Sequence, residues 1–300
     1  MERKSSYKAW IYLAPTLILM AIFTFYPLIN TFYLSFLENY NSVTGSFDGF
    51  TLDNYGVILG LKEFPDTMPG AGQTTAFLTE ALPNTFIIAF VSVPISIILS
   101  LLISVWLNSI KWFRSFFQTL FFLPYVTNII AVGMVFSVIF GSSGLLDLIG
   151  PRMSKFNAML VLCIELIWYE CPYKILIFAS GLQSIDKQYY ESARMDSTPK
   201  WKVLTKITIP LLSPQILYIS ITSLIDAFKE YQAVVGLFGN QKGTTATSYN
   251  LYTCVYYIYD MVKSGNNTLQ YASAAAVVLF LIILVFTLIE LWIGNKRVHY

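Results

Sequence analysis

The sequence predicts an all-α integral membrane protein of about six transmembrane helices, and three observations predict it. Hydrophobic residues make up 56% of the 300 and charged residues only 12%, about half the charge of an ordinary soluble domain. Runs of roughly 20 apolar residues, enough helix to cross about 30 Å of hydrocarbon, recur along the chain. The basic residues gather on alternate connections between those runs, as the positive-inside rule requires. A water-soluble fold with a mean hydropathy of +0.61 would expose large sticky patches. A net charge of +2, with no basic stripe interleaved with aromatics, excludes a nucleic-acid partner.

The first span covers about 10–36. It is too long for a signal-peptide core and has no small-x-small cleavage site, so it is read as retained. Pro15 and Pro27 within it are tolerated better in a bilayer bundle than in water. Further spans cover about 82–107, 117–140, 158–181, 211–238 and 271–293. The fifth is interrupted by Asp226, Lys229 and Glu230, and the sixth opens with small residues, Ala272 to Ala276 with Ser273 among them. Such residues let helices approach closely, within the bundle or at a subunit interface. The chain thus reads as a single transmembrane domain, 1–300, with a first extracytoplasmic loop at 38–81 and a long cytosolic loop at 182–209.

Basic residues orient the spans. With the N-terminus inside, the inner segments hold Arg3, Lys4, Lys8, Lys111, Arg114, Lys187, Arg194, Lys200, Lys202, Lys206, Lys296 and Arg297. The outer loops hold only Lys62, Arg152, Lys155, Lys242 and Lys263. Both termini are therefore expected in the cytosol. The first outer loop is acidic, with Asp48, Asp53, Glu63, Asp66 and Glu80, as suits a segment facing an extracellular partner.

Enzymatic chemistry finds little to work with. Cys163, Cys171 and Cys254 show no metal or redox spacing, and the lone histidine, His299, lies next to the C-terminus. No glycine-rich phosphate loop ending in Gly-Lys-Ser/Thr is present, because Lys242 precedes Gly243. No metal or other cofactor is expected, and any ATP hydrolysis must come from another polypeptide.

The 182–209 segment is longer than topology demands and carries the densest basic cluster. A helix is predicted over 189–195. It breaks where Thr198 precedes Pro199, with Ser197 or Thr198 capping a second helix. That second helix would carry Trp201 and Leu204 on one side, with Lys200, Lys202 and Lys206 facing mostly elsewhere. On spacing alone this is equally an amphipathic hairpin snorkelling lysines to lipid headgroups. Within the spans, Glu170 and Lys174 lie four apart and can pair on one face. Asp226 shares a face with Lys229 and with Glu230. Each cluster either makes its span insertable or lines a hydrated path.

Tyr190 to Pro214 resembles the cytosolic signature loop of permease subunits of bacterial binding-protein-dependent ABC importers. That signature runs Glu-Ala-Ala, Asp-Gly-Ala, then Ile-x-x-Pro-Leu-x-x-Pro. The matching residues are Glu191, Ser192 and Ala193; Asp196, Ser197 and Thr198; and Ile207, Pro210, Leu211, Leu212 and Pro214. Flanking segments are similar to the carbohydrate-uptake branch related to the maltose permease subunit: Leu13 to Pro15, Phe121 to Val126, Trp168 with Pro172 and Tyr173, and Gly181 to Ile185. Two positions depart. Ser197 replaces the central glycine, which costs about 1 kcal/mol at positive φ, so a differently shaped turn is expected, with Pro199 supplying rigidity. Gly239 to Gly243 replaces a Gly-Gly-Pro loop.

The resemblance implies a coupling loop (Glu191, Ala193, Asp196, Ser197, Pro199) that docks on an ATP-binding subunit. It implies a homologous second permease, two ATP-binding subunits and an extracytoplasmic solute-binding protein as partners, in a bacterial cell membrane. Tyr125, Asn128, Glu170, Tyr173, Lys174, Asp226, Lys229, Glu230, Tyr231 and Gln232 are the candidate pathway residues. Among them are aromatic faces that stack on sugar rings, and carboxylates and amides that bond hydroxyls. The solute is left open among sugars, sugar acids, polyols and glycerophosphate-type compounds. The competing reading is a gradient-driven secondary transporter that uses Asp226, Lys229 and Glu230 as a relay. It gives no reason for the long cytosolic helix pair.

Overall fold

The computed structural model describes residues 6–63, 76–110, 114–141, 154–239, 251–265 and 268–297. Regular structure among them is helical, apart from one antiparallel pairing of β1 (Leu37–Glu38) with β2 (Gly49–Phe50). Most of the 239–243 loop and residues 64–75 of the first loop lie outside the described residues. The chain divides into two compact units, Met1–Leu78 with Tyr257–Leu281 and Thr79–Tyr256 with Ile282–Tyr300.

In the first unit α1 (Ser6–Met20) passes through a π-helical turn, Ala21–Phe25, into α2 (Tyr26–Ser35). Its large apolar side chains from Trp10 to Ile29 are exposed, Tyr12 and Phe23 among them, as suits a lipid-facing helix. The chain then turns back through the β1–β2 ribbon into α3 (Asp53–Ile58). Buried Asn54 holds this turn by donating to the carbonyls of Ser35 and Leu37 at 2.9 and 2.8 Å.

The second unit starts with α4 (Leu82–Ile87) and α5 (Val93–Ser109), joined by the π-helical turn Ile88–Ser92. Next come α6 (Arg114–Val126), α7 (Ile129–Phe140), the 30-residue α8 (Lys155–Ser184) and α9 (Lys187–Met195). Then α10 (Lys200–Val203) runs through Leu204–Thr208 into α11 (Ile209–Leu211), followed by α12 (Ser213–Phe228) and α13 (Gln232–Phe238). Finally α14 (Cys254–Lys263) and α15 (Leu269–Arg297) carry residues of both units.

The π-helical turns have a common cause. Each of the four among the described residues ends two residues before a proline: Pro27, Pro83, Pro94 and Pro210. Proline has no N–H for the carbonyl four residues back, and its ring collides with that carbonyl. Widening one turn relieves the collision and lets the next N–H reach the stranded oxygen.

Trp10–Ser35, Phe77–Ser109 and Leu269–Gly294 are continuous helices long and apolar enough to cross a bilayer. The expected third span, 117–140, is instead two helices bent by 95° between α6 and α7. Pro124 starts the break, Thr127 folds back on it through its N–H and hydroxyl, and Asn128 caps α7 by accepting from the Ile130 N–H at 2.9 Å. The expected fifth span, 211–238, also breaks, because α12 stops at Phe228. The α10–α11 run meets α12 at 70°, so counting each bent pair as one span gives up to five spans. Helix α8 has the length to cross but carries Glu165, Glu170 and Lys174.

Polar groups knit α5 to α8. Ser96, Ser100 and Ser104 recur every four residues on one face of α5, where Ser100 and Ser104 donate to the carbonyls of Cys171 and Ile175 at 3.3 and 3.0 Å. Leu101, Phe178, Leu182, Leu212 and Ile219 form the apolar core beside them. Helices α7 and α13 cross at glycines: a Cβ on Gly133 would lie 2.7 Å from the Gly236 backbone. Gly133→Ala should therefore lower the stability of the detergent-solubilised protein by about 1–3 kcal/mol. Gly294→Ala should cost less, because its new Cβ meets only the Leu217 side chain, which can turn aside. Thermal unfolding of the two variants checks this order.

Candidate functional site

Both breaks open onto one cavity of about 600 Å³. It is lined by Tyr125 and Ile129 from the first break, by Leu166, Tyr169, Glu170, Tyr173 and Lys174 of α8, and by Thr222, Ser223, Asp226, Glu230 and Gln232 around the second. A larger cavity of about 920 Å³, lined by Leu99, Leu120, Phe121, Phe136 and Trp168 among others, is mostly apolar, with no charged residue among its described lining residues. It offers a polar solute few groups to bond.

The aromatic wall is built by spacing. Tyr169 and Tyr173 lie one turn apart on α8. Tyr125 stacks on Tyr173, with ring centroids 5.5 Å apart and planes 16° from parallel, and lies 6.1 Å from Tyr169. The Tyr173 hydroxyl meets that of Tyr218 at 3.1 Å. Beneath this wall Lys174, 1% exposed, is ion-paired with Glu170 one turn away and donates to Ser96 Oγ at 2.5 Å. This contact ties the floor of the cavity to α5.

Asp226 and Lys229 pair as expected at 3.3 Å, both largely exposed. Glu230 does not share their helix face, because α12 has ended two residues earlier. Its carboxylate instead turns forward and accepts from the Ala233 N–H at 2.8 Å, satisfying the start of α13. Its carbonyl takes the Thr253 hydroxyl at 2.5 Å. The second break is thereby closed with protein partners, as lipid requires.

Of the ten candidate pathway residues, seven line the cavity: Tyr125, Glu170, Tyr173, Lys174, Asp226, Glu230 and Gln232. Asn128 acts as the cap of α7. Tyr231 packs edge-on against Tyr256, with centroids 5.3 Å apart, and Lys229 lies off the lining. Sequence reading missed Tyr169 and Thr222, although Tyr169 sits one turn from Tyr173 and beside Glu170. It also missed Glu165, which is fully buried with no hydrogen-bond partner for either carboxyl oxygen.

The hairpin from α9 to α11 forms a second constellation. Asp186 caps α9 by accepting from the Gln188 N–H at 3.0 Å. At its far end the Thr198 N–H reaches the Ala193 carbonyl at 2.9 Å and the Ser197 N–H reaches that of Arg194 at 3.0 Å. This is a Schellman ending, whose central residue takes a left-handed conformation. Ser197 takes it, with φ +51°, so the turn keeps the shape a glycine would give and the expected change of shape is not found. Neither Ser197 nor Thr198 caps the next helix. Pro199 stands at that position with extended backbone, its carbonyl accepting from Val203. Ala193 is buried, while Glu191, Asp196 and Trp201 are exposed. A cavity of about 680 Å³ separates this hairpin from the end of α5.

A bundle of apolar helices, broken twice around a polar cavity and carrying an exposed helical hairpin, defines a membrane transport component. Residues 92–298 match the family described as the binding-protein-dependent transport system inner membrane component, and the chain belongs to that family. It is 26% identical to the lactose transport system permease protein LacF of Rhizobium radiobacter, over 99% of this chain and 97% of that protein. It is 28% identical to the arabinooligosaccharides transport system permease protein AraP of Bacillus subtilis, over 96% and 88%. It is 25% identical to the sn-glycerol-3-phosphate transport system permease protein UgpA of Agrobacterium fabrum, over 97% and 96%. Its fold is similar to that of a chain in a bacterial ABC transporter that imports the acidic polysaccharide alginate, with a TM-score of 0.76 and 20% identity over 99% and 98% of the two chains.

The buried pair yields a thermodynamic test. Lys174→Met or Glu170→Gln alone should each cost about 3 kcal/mol, because one charged partner is stranded. The double substitution Glu170→Gln with Lys174→Met should regain most of that loss. Thermal unfolding in detergent of the singles and the double checks the coupling.

Proposed function

We propose that the chain is the permease subunit of an ATP-driven importer and forms half of the translocation pathway for a sugar or oligosaccharide. The observation that carries this is the cavity where both helix breaks meet. It combines a stacked tyrosine wall with carboxyl, amide and hydroxyl groups, the chemistry that holds a polyhydroxylated ring. The relatives named for lactose and arabinooligosaccharides point the same way. Irregular backbone at membrane depth is tolerated where it lines such a cavity.

A homologous second permease supplies the opposite wall, two ATP-binding subunits drive the cycle from the cytosol, and an extracytoplasmic binding protein delivers the solute. A fold neighbour in complex with an alginate pentasaccharide-bound periplasmic protein supports the last partner. Both termini and the 182–209 hairpin lie in the cytosol, as the basic residues direct. There Glu191, Asp196, Ser197 and Pro199 meet the ATPase, with buried Ala193 setting the hairpin's internal contact.

Glu191→Lys and Asp196→Lys test this. In the assembled importer, reconstituted in proteoliposomes, each should cut solute-stimulated ATP hydrolysis at least about tenfold, the effect of losing a charge contact across an interface. Membrane insertion should be unchanged. Normal transport by both variants would make the segment an interfacial hairpin with no coupling role.

A further inference from the structure

The names of the relatives do not decide the charge of the solute. Lactose and arabinooligosaccharides are neutral, whereas alginate and sn-glycerol 3-phosphate are anionic. The cavity lining of this chain does bear on it. Sites built for sugar acids or phosphates present free arginine or lysine, since a planar or tetrahedral anion needs charge-assisted donors. Here the described lining residues include three carboxyl side chains, Glu170, Asp226 and Glu230, against a single cation, Lys174. That ammonium is 1% exposed and already engaged by Glu170 and by Ser96 Oγ. Lys229, the nearest other cation on these elements, lies off the lining and faces Asp226 at 3.3 Å. The remaining polar groups, the tyrosines, Thr222, Ser223 and Gln232, serve hydroxyls and carry no charge.

We propose that this acidic wall, whose lysine is already paired, makes the chain's half of the pathway selective for neutral polyhydroxylated solutes over anionic ones. The inference rests on the reading of this cavity as a carbohydrate site. A carboxyl wall accepts hydroxyl donors, so it favours an uncharged saccharide. Glu170 is offset by Lys174 and Asp226 by Lys229, whereas Glu230 faces no lysine among the described residues, so the lining keeps an excess of negative charge. That excess repels a uronate or phosphate, and like charges brought together across a binding surface are strongly disfavoured. The second permease contributes the opposite wall, so the readout is what changes when this chain alone is substituted.

The test uses the assembled importer in nanodiscs, with saturation-transfer NMR against maltotriose and trigalacturonate, two trisaccharides that differ in charge. Maltotriose should bind, with trigalacturonate at least about tenfold weaker. Thr222→Lys places an ammonium on the lining, and Asp226→Asn releases Lys229. Either should narrow that ratio by about tenfold, one charge contact's worth. Asp226→Asn adds no bulk, so it still reports if the lysine variant fails to assemble. Equal or preferred binding of trigalacturonate to the unaltered importer overturns the charge rule and leaves the carbohydrate site standing. Binding of neither trisaccharide overturns the carbohydrate reading itself, and the charge rule with it.

Discussion

Everything in this molecule answers to one constraint: a backbone in hydrocarbon must satisfy its own hydrogen bonds and pair its own charges. The chain obeys it at each point where the helical pattern is interrupted. Pro27, Pro83, Pro94 and Pro210 are accommodated by widened turns just before them. The end of α12 is closed by the Glu230 carboxylate and the Thr253 hydroxyl. The start of α7 is closed by Asn128. Buried Lys174 is held between Glu170 and Ser96. Fully buried Glu165, with no partner for its carboxyl oxygens, is an exception among the described residues.

Because irregular backbone is so costly in lipid, the place where it collects is informative. The breaks at Thr127–Asn128 and at Lys229–Tyr231 lie far apart in sequence, yet both face one cavity. Helices α7 and α13, which start at those breaks, are locked together by the contact of Gly133 with Gly236. The cavity wall is therefore held from two sides, by the glycine crossing above the breaks and by the serine-rich seam between α5 and α8 beneath. A solute site needs this rigidity, since hydroxyl recognition depends on donors and acceptors fixed in place.

Much of this was legible in the sequence, and what was not has physical reasons. Apolar runs revealed the helices because a bilayer demands length and hydropathy, which are local properties. The break in 117–140 was hidden because the runs on both sides of it are apolar, and the break in 211–238 showed only as charges inside a span. Asp226 and Glu230 were assigned to one helix face by their spacing, and that fails when the helix stops between them. Asn128 has the chemistry of a sugar ligand, yet the nearest unsatisfied donor was a backbone N–H at its own helix start. The glycine crossing joins residues too distant in sequence for spacing to pair them. Ser197 shows the opposite error: a cost of about 1 kcal/mol was expected to reshape the turn, but two backbone hydrogen bonds hold it in the left-handed conformation regardless.

The central claim is that the breaks line a water-filled path and are not merely packed irregularities. It is tested most directly by aqueous accessibility in the assembled importer. With Cys163, Cys171 and Cys254 replaced by alanine, single cysteines at Thr222 and Gln232 would be challenged with a membrane-impermeant methanethiosulfonate. A cysteine at Ile98, an exposed apolar position of α5, serves as the lipid-facing reference. The account predicts rapid labelling at 222 and 232 and none at 98. No labelling at either lining position would mean that the cavity is dry, and that the site described here is not a solute path.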